Sequence, residues 1–197
     1  SAAPAATIAE ISSAPVASVV GEMLTNSDNN TAEILVRHVG LARSLQPTTA
    51  AGLAVIRDVI KQWGIDGTTV KDGSGLSRGN RMTCASLVAL LERSPIGGGL
   101  KKGLAIAGRT GTLKDVLTDS PAAGKLLGKT GTLLNVKTLG GVLPVDANDE
   151  VVFALFLNGA GWADQGNYRP LWEGLARAVT KYPQGPSVGQ VGVLGGG

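Results

Sequence analysis

Two short stretches carry side chains that could act on a substrate together. One is Lys129-Thr130-Gly131-Thr132, inside GKLLGKTGTLLN at 124–135; the other is Ser27-Asp28-Asn29. The first reads as a strand, from its alternating apolar residues and β-branched pair. Gly131 is the odd residue there, because glycine weakens a strand and commonly marks a close approach by a ligand or another chain segment. A strand edge offering an ammonium, two hydroxyls and no side chain at Gly131 can bind a carboxylate on a peptide lying antiparallel to it. On this motif alone, an ordinary strand with a surface lysine is the better reading.

The elements that must hold these residues follow from periodicity. Pro15 suits a first helical turn, and Val16, Val19, Val20, Met23 and Leu24 mark a helix ending near Asn26. Ser27-Asp28-Asn29 then forms the connection, since these residue types bond to their own backbone in turns. A second helix, capped by Asn30 or Thr31, runs to about Leu41 and carries His38, read as a satisfied helix histidine rather than a catalytic one. The spacing predicts a third helix over 48–63 with Thr48 as cap and Gly64 as stop. It also predicts a short strand near 68–71, a helix over 82–93 and a helical piece over 100–107. Arg109-Thr110-Gly111-Thr112-Leu113 echoes the 129–133 stretch and is read as structural. Strands are expected over 124–134, 136–145 and 150–158; VVFALFL, apolar throughout, suits a central strand covered on both faces. A closing helix is expected over 170–181. Helices, three strands and a final helix give an α+β fold: an antiparallel sheet packed with helices, plus a helical lobe. Residues 1–14 read as a loosely held lead-in, 15–182 as the domain, and 183–197 as a Gly-rich, poorly ordered tail.

Composition narrows the function. A 43% apolar and 17% charged chain of 197 residues is globular and long enough for a real core. Aromatics are only 4%, so that core must be mainly aliphatic. With a net charge of +3 and no dense basic block, nucleic acid is not an expected partner. One cysteine, Cys84, and one histidine argue against a zinc site; no metal or cofactor is expected. Cys84 reads as a small buried hydrophobe. No run is long enough for a membrane span, and SAAPAATIAE has neither a charged leader nor a long apolar core, so it is not expected to be a signal peptide.

The pairing of S-D-N with K-T-G is a motif set of penicillin-binding proteins and serine β-lactamases. Together with MLTNSDNNTAEILVRHVG at 23–40, KDGSGLSRGNRMT at 71–83, AGRTGTLKDVL at 107–117 and GKLLGKTGTL at 124–133, it makes the chain resemble the C-terminal part of the D-alanyl-D-alanine carboxypeptidase/endopeptidase family (peptidase family S13, penicillin-binding protein 4 type). The resemblance runs from about Val16 to Tyr182. It implies part of a penicillin-binding, β-lactamase-like transpeptidase domain, acting on D-Ala-D-Ala stem peptides of peptidoglycan and acylated by β-lactams. It also implies a place in the cell envelope outside the cytoplasmic membrane, periplasmic or extracellular.

The resemblance implies a role for each motif residue. Ser27 would relay a proton to or from the leaving group. Asn29 would hold the lysine of a third motif and the substrate peptide. Lys129 would supply positive charge to Ser27 and the incoming carboxylate. Thr130 and Thr132 would bond that carboxylate, beside the open backbone at Gly131, and the Thr132 N–H would form half of an oxyanion hole. The family's nucleophile lies in S-x-x-K, and no serine of this chain has Lys three residues on. Thr68 to Lys71 has the spacing but a turn context. An N-terminal segment carrying S-x-x-K is therefore the expected partner. A β-lactamase would need a glutamate to activate water, and Glu33 and Glu92 both fall in helix patterns. The alternative is a non-catalytic peptidoglycan-binding module or pseudoenzyme that kept the carboxylate pocket.

Overall fold

The structure, a computed structural model, describes residues 8–184. Residues 8–15 form neither helix nor strand, and Ile8 and Ile11 stand in solvent. The expected Gly-rich tail lies almost wholly outside the described residues.

Helices α1 (Val16–Asn26), α2 (Asn29–Ser44) and α3 (Thr49–Gln62) make a helical lobe. The cap of α2 is Asp28, not Asn30 or Thr31: its carboxylate accepts from the backbone N–H groups of Asn30 and Thr31. Thr31 Oγ1 donates back to Asp28 Oδ2 at 2.8 Å, so the hydroxyl read as a cap instead braces one. The expected third helix is found, with the Thr48 cap as read. The strand expected near 68–71 reduces to one bridge, Thr69 with Arg81.

Helix α4 (Cys84–Glu92) is capped by Thr83. Cys84 is exposed rather than buried. The inward face of α4 is fixed by Ser86, whose hydroxyl donates to Asp66 O. Two residues apart on a helix is about 200°, so Cys84 faces outward. The helical piece expected over 100–107 is one turn, α5 (Gly99–Lys102), followed by strand β1 (Ala105–Ile106). Gly103 ends the turn, and Ala105 then pairs with Gly128. Lys101 of α5 is fully buried; its ammonium donates to Ser94 O at 2.6 Å and pairs with Glu150.

The sheet is antiparallel, in the order β1-β2-β3-β4, with β2 (Leu127–Leu133), β3 (Val136–Pro144) and β4 (Glu150–Asn158). β4 is an edge strand among the described residues, not a central one. Its apolar run is still explained, because α4 packs on one face and α6 (Gln165–Val179) on the other. α6 starts earlier than expected: Asp164 accepts from Gly166 N–H and caps it, and Pro170 lies inside the helix. The main core fills the α6 face of the sheet with Leu113, Leu126, Leu139, Leu143, Phe153, Tyr168 and Trp172. Burying a side chain of this kind stabilises by about 1.5–3 kcal/mol. This packing backs the sheet behind β2, whose 129–133 half has no strand partner on the β1 side among the described residues.

Candidate active site

Helix α1 ends on Ser27, which has φ 57° and ψ 48°, with its N–H bonded to Met23 O. Such a left-handed helix stop ordinarily takes glycine or asparagine; a side chain of another type there costs about 1–2 kcal/mol. Serine is not chosen for the turn, so its hydroxyl is the reason to look further. The turn aims Ser27 across to β2. Lys129 Nζ donates to Ser27 Oγ at 2.6 Å and to Thr130 O at 2.9 Å. These two residues, far apart in sequence, are thus in direct contact.

Lys129 is half-buried, and that burial holds its ammonium below the ordinary lysine value. A lysine so placed exchanges its proton more readily. Because Ser27 Oγ accepts from Lys129, its own O–H is free to point into the cleft. Asp28, beside it, is held below the usual carboxylate range by the Thr31 hydroxyl, then by the Thr31 and Asn30 N–H groups. It serves the helix start.

Ser27, Asn29, Lys129, Thr130, Gly131 and Thr132 all line one cleft of about 790 Å³. Asn29 opens α2, and among the described residues its side-chain amide makes no hydrogen bond. The close approach at Gly131 is a side chain of the sheet itself. It pairs with Thr138, and a Cβ on Gly131 would meet Thr138 Oγ1 at 2.4 Å. Away from the motifs the cleft turns apolar, with Leu24, Leu35, Val39, Ile56, Leu87 and Phe156 along its wall.

Three contributors were not evident in the sequence. Thr130 Oγ1 donates to Thr112 Oγ1 at 2.9 Å, so the look-alike stretch reaches the site through Thr112. Lys137 Nζ donates to Thr132 Oγ1 at 2.8 Å. A two-residue turn at Leu134-Asn135 would have placed Lys137 opposite Thr132 by register alone. Glu33 Oε1 accepts from the N–H groups of Gly73 and Ser74 at 3.0 and 2.9 Å and ties the 71–80 loop to the cleft wall. Asp72 braces that loop by accepting from Asn80 Nδ2 and the Ser77 and Gly75 N–H groups. Burial raises its carboxyl, but these bonds outweigh it and the net shift is downward. His38 is exposed, its Nδ1 bonded to Ile34 O, and it lines no part of the cleft.

Known proteins share this arrangement of chain. A D-alanyl-D-alanine carboxypeptidase of Actinomadura sp. (strain R39) is 32% identical over 162 residues, 77% of this chain and 30% of that one. Carboxypeptidase DacB of Mycolicibacterium smegmatis is 33% identical over 166 residues, 79% of this chain and 36% of that one. Penicillin-binding protein 4 of Haemophilus influenzae, solved in complex with a β-lactam, superposes with a TM-score of 0.71 at 25% identity, covering 87% of this chain and 42% of that one. The chain therefore spans about a third of the length of the curated relatives it matches. The sequence profile of the D-Ala-D-Ala carboxypeptidase 3 (S13) family matches residues 1–179, and the chain belongs to that family.

Proposed function

We propose that this chain is the part of a serine D,D-carboxypeptidase/endopeptidase that handles the proton and the terminal carboxylate of a D-Ala-D-Ala stem peptide of peptidoglycan. The contact between Lys129 Nζ and Ser27 Oγ carries the reading. An ammonium bonded to a hydroxyl that faces a cleft is a proton relay: Ser27 gives its proton to the leaving nitrogen and draws on Lys129. Thr132 donates to the carboxylate, Thr130 joins it by turning its proton away from Thr112 Oγ1, and Gly131 leaves room for the Thr138 hydroxyl beside the strand. The Thr132 N–H supplies half of the oxyanion hole, where a lost donor costs about 3–4 kcal/mol of transition-state stabilisation.

The nucleophile is a serine of an S-x-x-K helix in an N-terminal segment, outside these 197 residues. The apolar wall of the cleft suits such a helix, and the unbonded amide of Asn29 suits its lysine. The β-lactam bound to the Haemophilus protein makes β-lactams the second ligand class. Peptidoglycan as substrate places the protein in the cell envelope outside the cytoplasmic membrane, periplasmic or extracellular. No helix among the described residues is long and apolar enough to cross a membrane.

The test is labelling by a fluorescent penicillin, read by intact mass. The longer protein should take one acyl group on a serine outside this chain. This chain alone should take none, because an unactivated hydroxyl is a weak nucleophile. An adduct on Ser27 of the isolated chain would make Ser27 the nucleophile and end this assignment. A longer protein that binds stem peptides yet never acylates would be a binding module.

A further inference from the structure

Lys137 has no part in the roles proposed above. It is half-buried on β3, directly opposite Thr132. Its ammonium donates to Thr132 Oγ1 at 2.8 Å and stands 4.5 Å from the centre of the Tyr168 ring. Among the described residues, no carboxylate lies within ion-pair distance of it. Lysines ordinarily extend their charge into water, and a cation drawn partly out of water needs compensation. The Tyr168 ring supplies some; Tyr168 is itself anchored in the core against Trp172. This side chain is therefore held in place rather than left to wander.

The consequence falls on Thr132. A threonine hydroxyl has one proton and two lone pairs, whereas an ammonium can only donate. With Lys137 on one lone pair, the Thr132 proton must turn elsewhere, and Thr132 lines the cleft. A hydroxyl whose oxygen is already bonded to a cation is a stronger donor. Toward the cleft it offers a proton and positive potential. A carboxylate oxygen answers both. A terminal amide keeps one acceptor oxygen but carries no charge, and its nitrogen can only donate, so it answers the proton and not the potential.

We propose that Lys137 is a positioning residue that fixes the Thr132 hydroxyl as a donor toward the cleft. It thereby biases the site toward substrates ending in a free carboxylate over those in which that group is an amide. The inference rests on the peptidase reading above and sharpens its substrate class.

The test uses the full-length protein and two peptides ending in D-Ala-D-Ala, one a free acid and one its C-terminal amide. Lys137→Met keeps the stem over Tyr168 and removes the charge, and Lys137→Arg keeps the charge. Lys137→Met should lower kcat/KM for the acid about tenfold, mainly through KM, with the amide changed less than about twofold. Lys137→Arg should restore most of the loss. In a Thr132→Val background, Lys137→Met should add less than about twofold, because it acts through that hydroxyl. Equal losses on both peptides, or independent effects of the two substitutions, would overturn the proposal and leave Lys137 a packing residue. If the unsubstituted protein cleaves neither peptide and is not acylated by penicillin, the peptidase reading fails and this proposal fails with it. If it cleaves both and Lys137→Met does not discriminate, this proposal alone fails.

Discussion

Arg109-Thr110-Gly111-Thr112 and Lys129-Thr130-Gly131-Thr132 differ only in their first residue, yet the fold uses them in opposite ways. The second is pleated into β2 and faces a cleft. The first is folded into a turn: Thr110 Oγ1 accepts from Ile106 N–H, and a single 3-10 turn runs over Gly111–Leu113. Gly111 has φ 52°, and a Cβ there would lie 2.0 Å from Thr25 O. Arg109 lies against Gly124 instead of reaching Ser27. The tetrapeptide has no fixed meaning. Strand pairing makes one copy an open strand edge beside the cleft, and a tight approach to α1 makes the other a brace for that edge.

Substitutions in the full-length protein can break this contrast. Lys129→Ala should have the largest effect, costing about 3 kcal/mol or more of transition-state stabilisation in kcat/KM. Full acylation by penicillin in that variant would remove Lys129 from the site. Gly111→Ala should come next, as a loss of about 2–3 kcal/mol in folding stability from strain and the clash with Thr25. Denaturant melts of Gly111→Ala and Gly131→Ala should rank them in that order, since only the Thr138 hydroxyl must give way at Gly131. Thr132→Val should lower kcat/KM by about 1–1.5 kcal/mol with little change in stability. Thr110→Val should show the reverse, a loss of stability without loss of specific turnover. Arg109→Ala should be smallest, leaving turnover per folded molecule within about twofold. If it proves more damaging than Thr132→Val, the two copies have been assigned the wrong way round.

Acidity sharpens the same contrast. Burial lowers the Lys129 ammonium, so the folded chain holds that proton less tightly than the unfolded chain does. Between the lowered value and the ordinary one of about 10.4, the unfolded state binds more protons, and stability from this group rises with pH. Lys129→Met should flatten that rise in melts recorded across the alkaline range. If the ammonium is needed for turnover, the alkaline limb of kcat should begin below the ordinary lysine value and move upward in Lys129→Arg.

Local chemistry was legible in the sequence wherever one residue decided the outcome. The Thr48 cap, the strand over Lys129 to Leu133 and the α+β order all follow from spacing and side-chain type. Where several residues compete, the sequence misleads. Pro170 looked like a helix start, but Asp164 offers a cap earlier and the helix runs through the proline. VVFALFL looked central because both its faces are covered, and face covering says nothing about whether a strand has two neighbours. The candidate site was legible as residue types and not as geometry. No local rule brings Ser27 to Lys129, and the left-handed turn that aims Ser27 is one a serine does not advertise.

The buried pair of Lys101 and Glu150 has a bearing on how this chain can vary through descent. Removing either partner strands the other charge inside the protein, at a cost of about 3–5 kcal/mol. Replacing both with well-packed apolar residues can be close to neutral. Each position alone is therefore frozen, while the two together are free. A lineage that loses this pair must cross a poorly folding intermediate or change both codons at once. Among relatives of this chain the two positions should be inherited as a unit, both charged or both apolar, even where the residues around them have drifted.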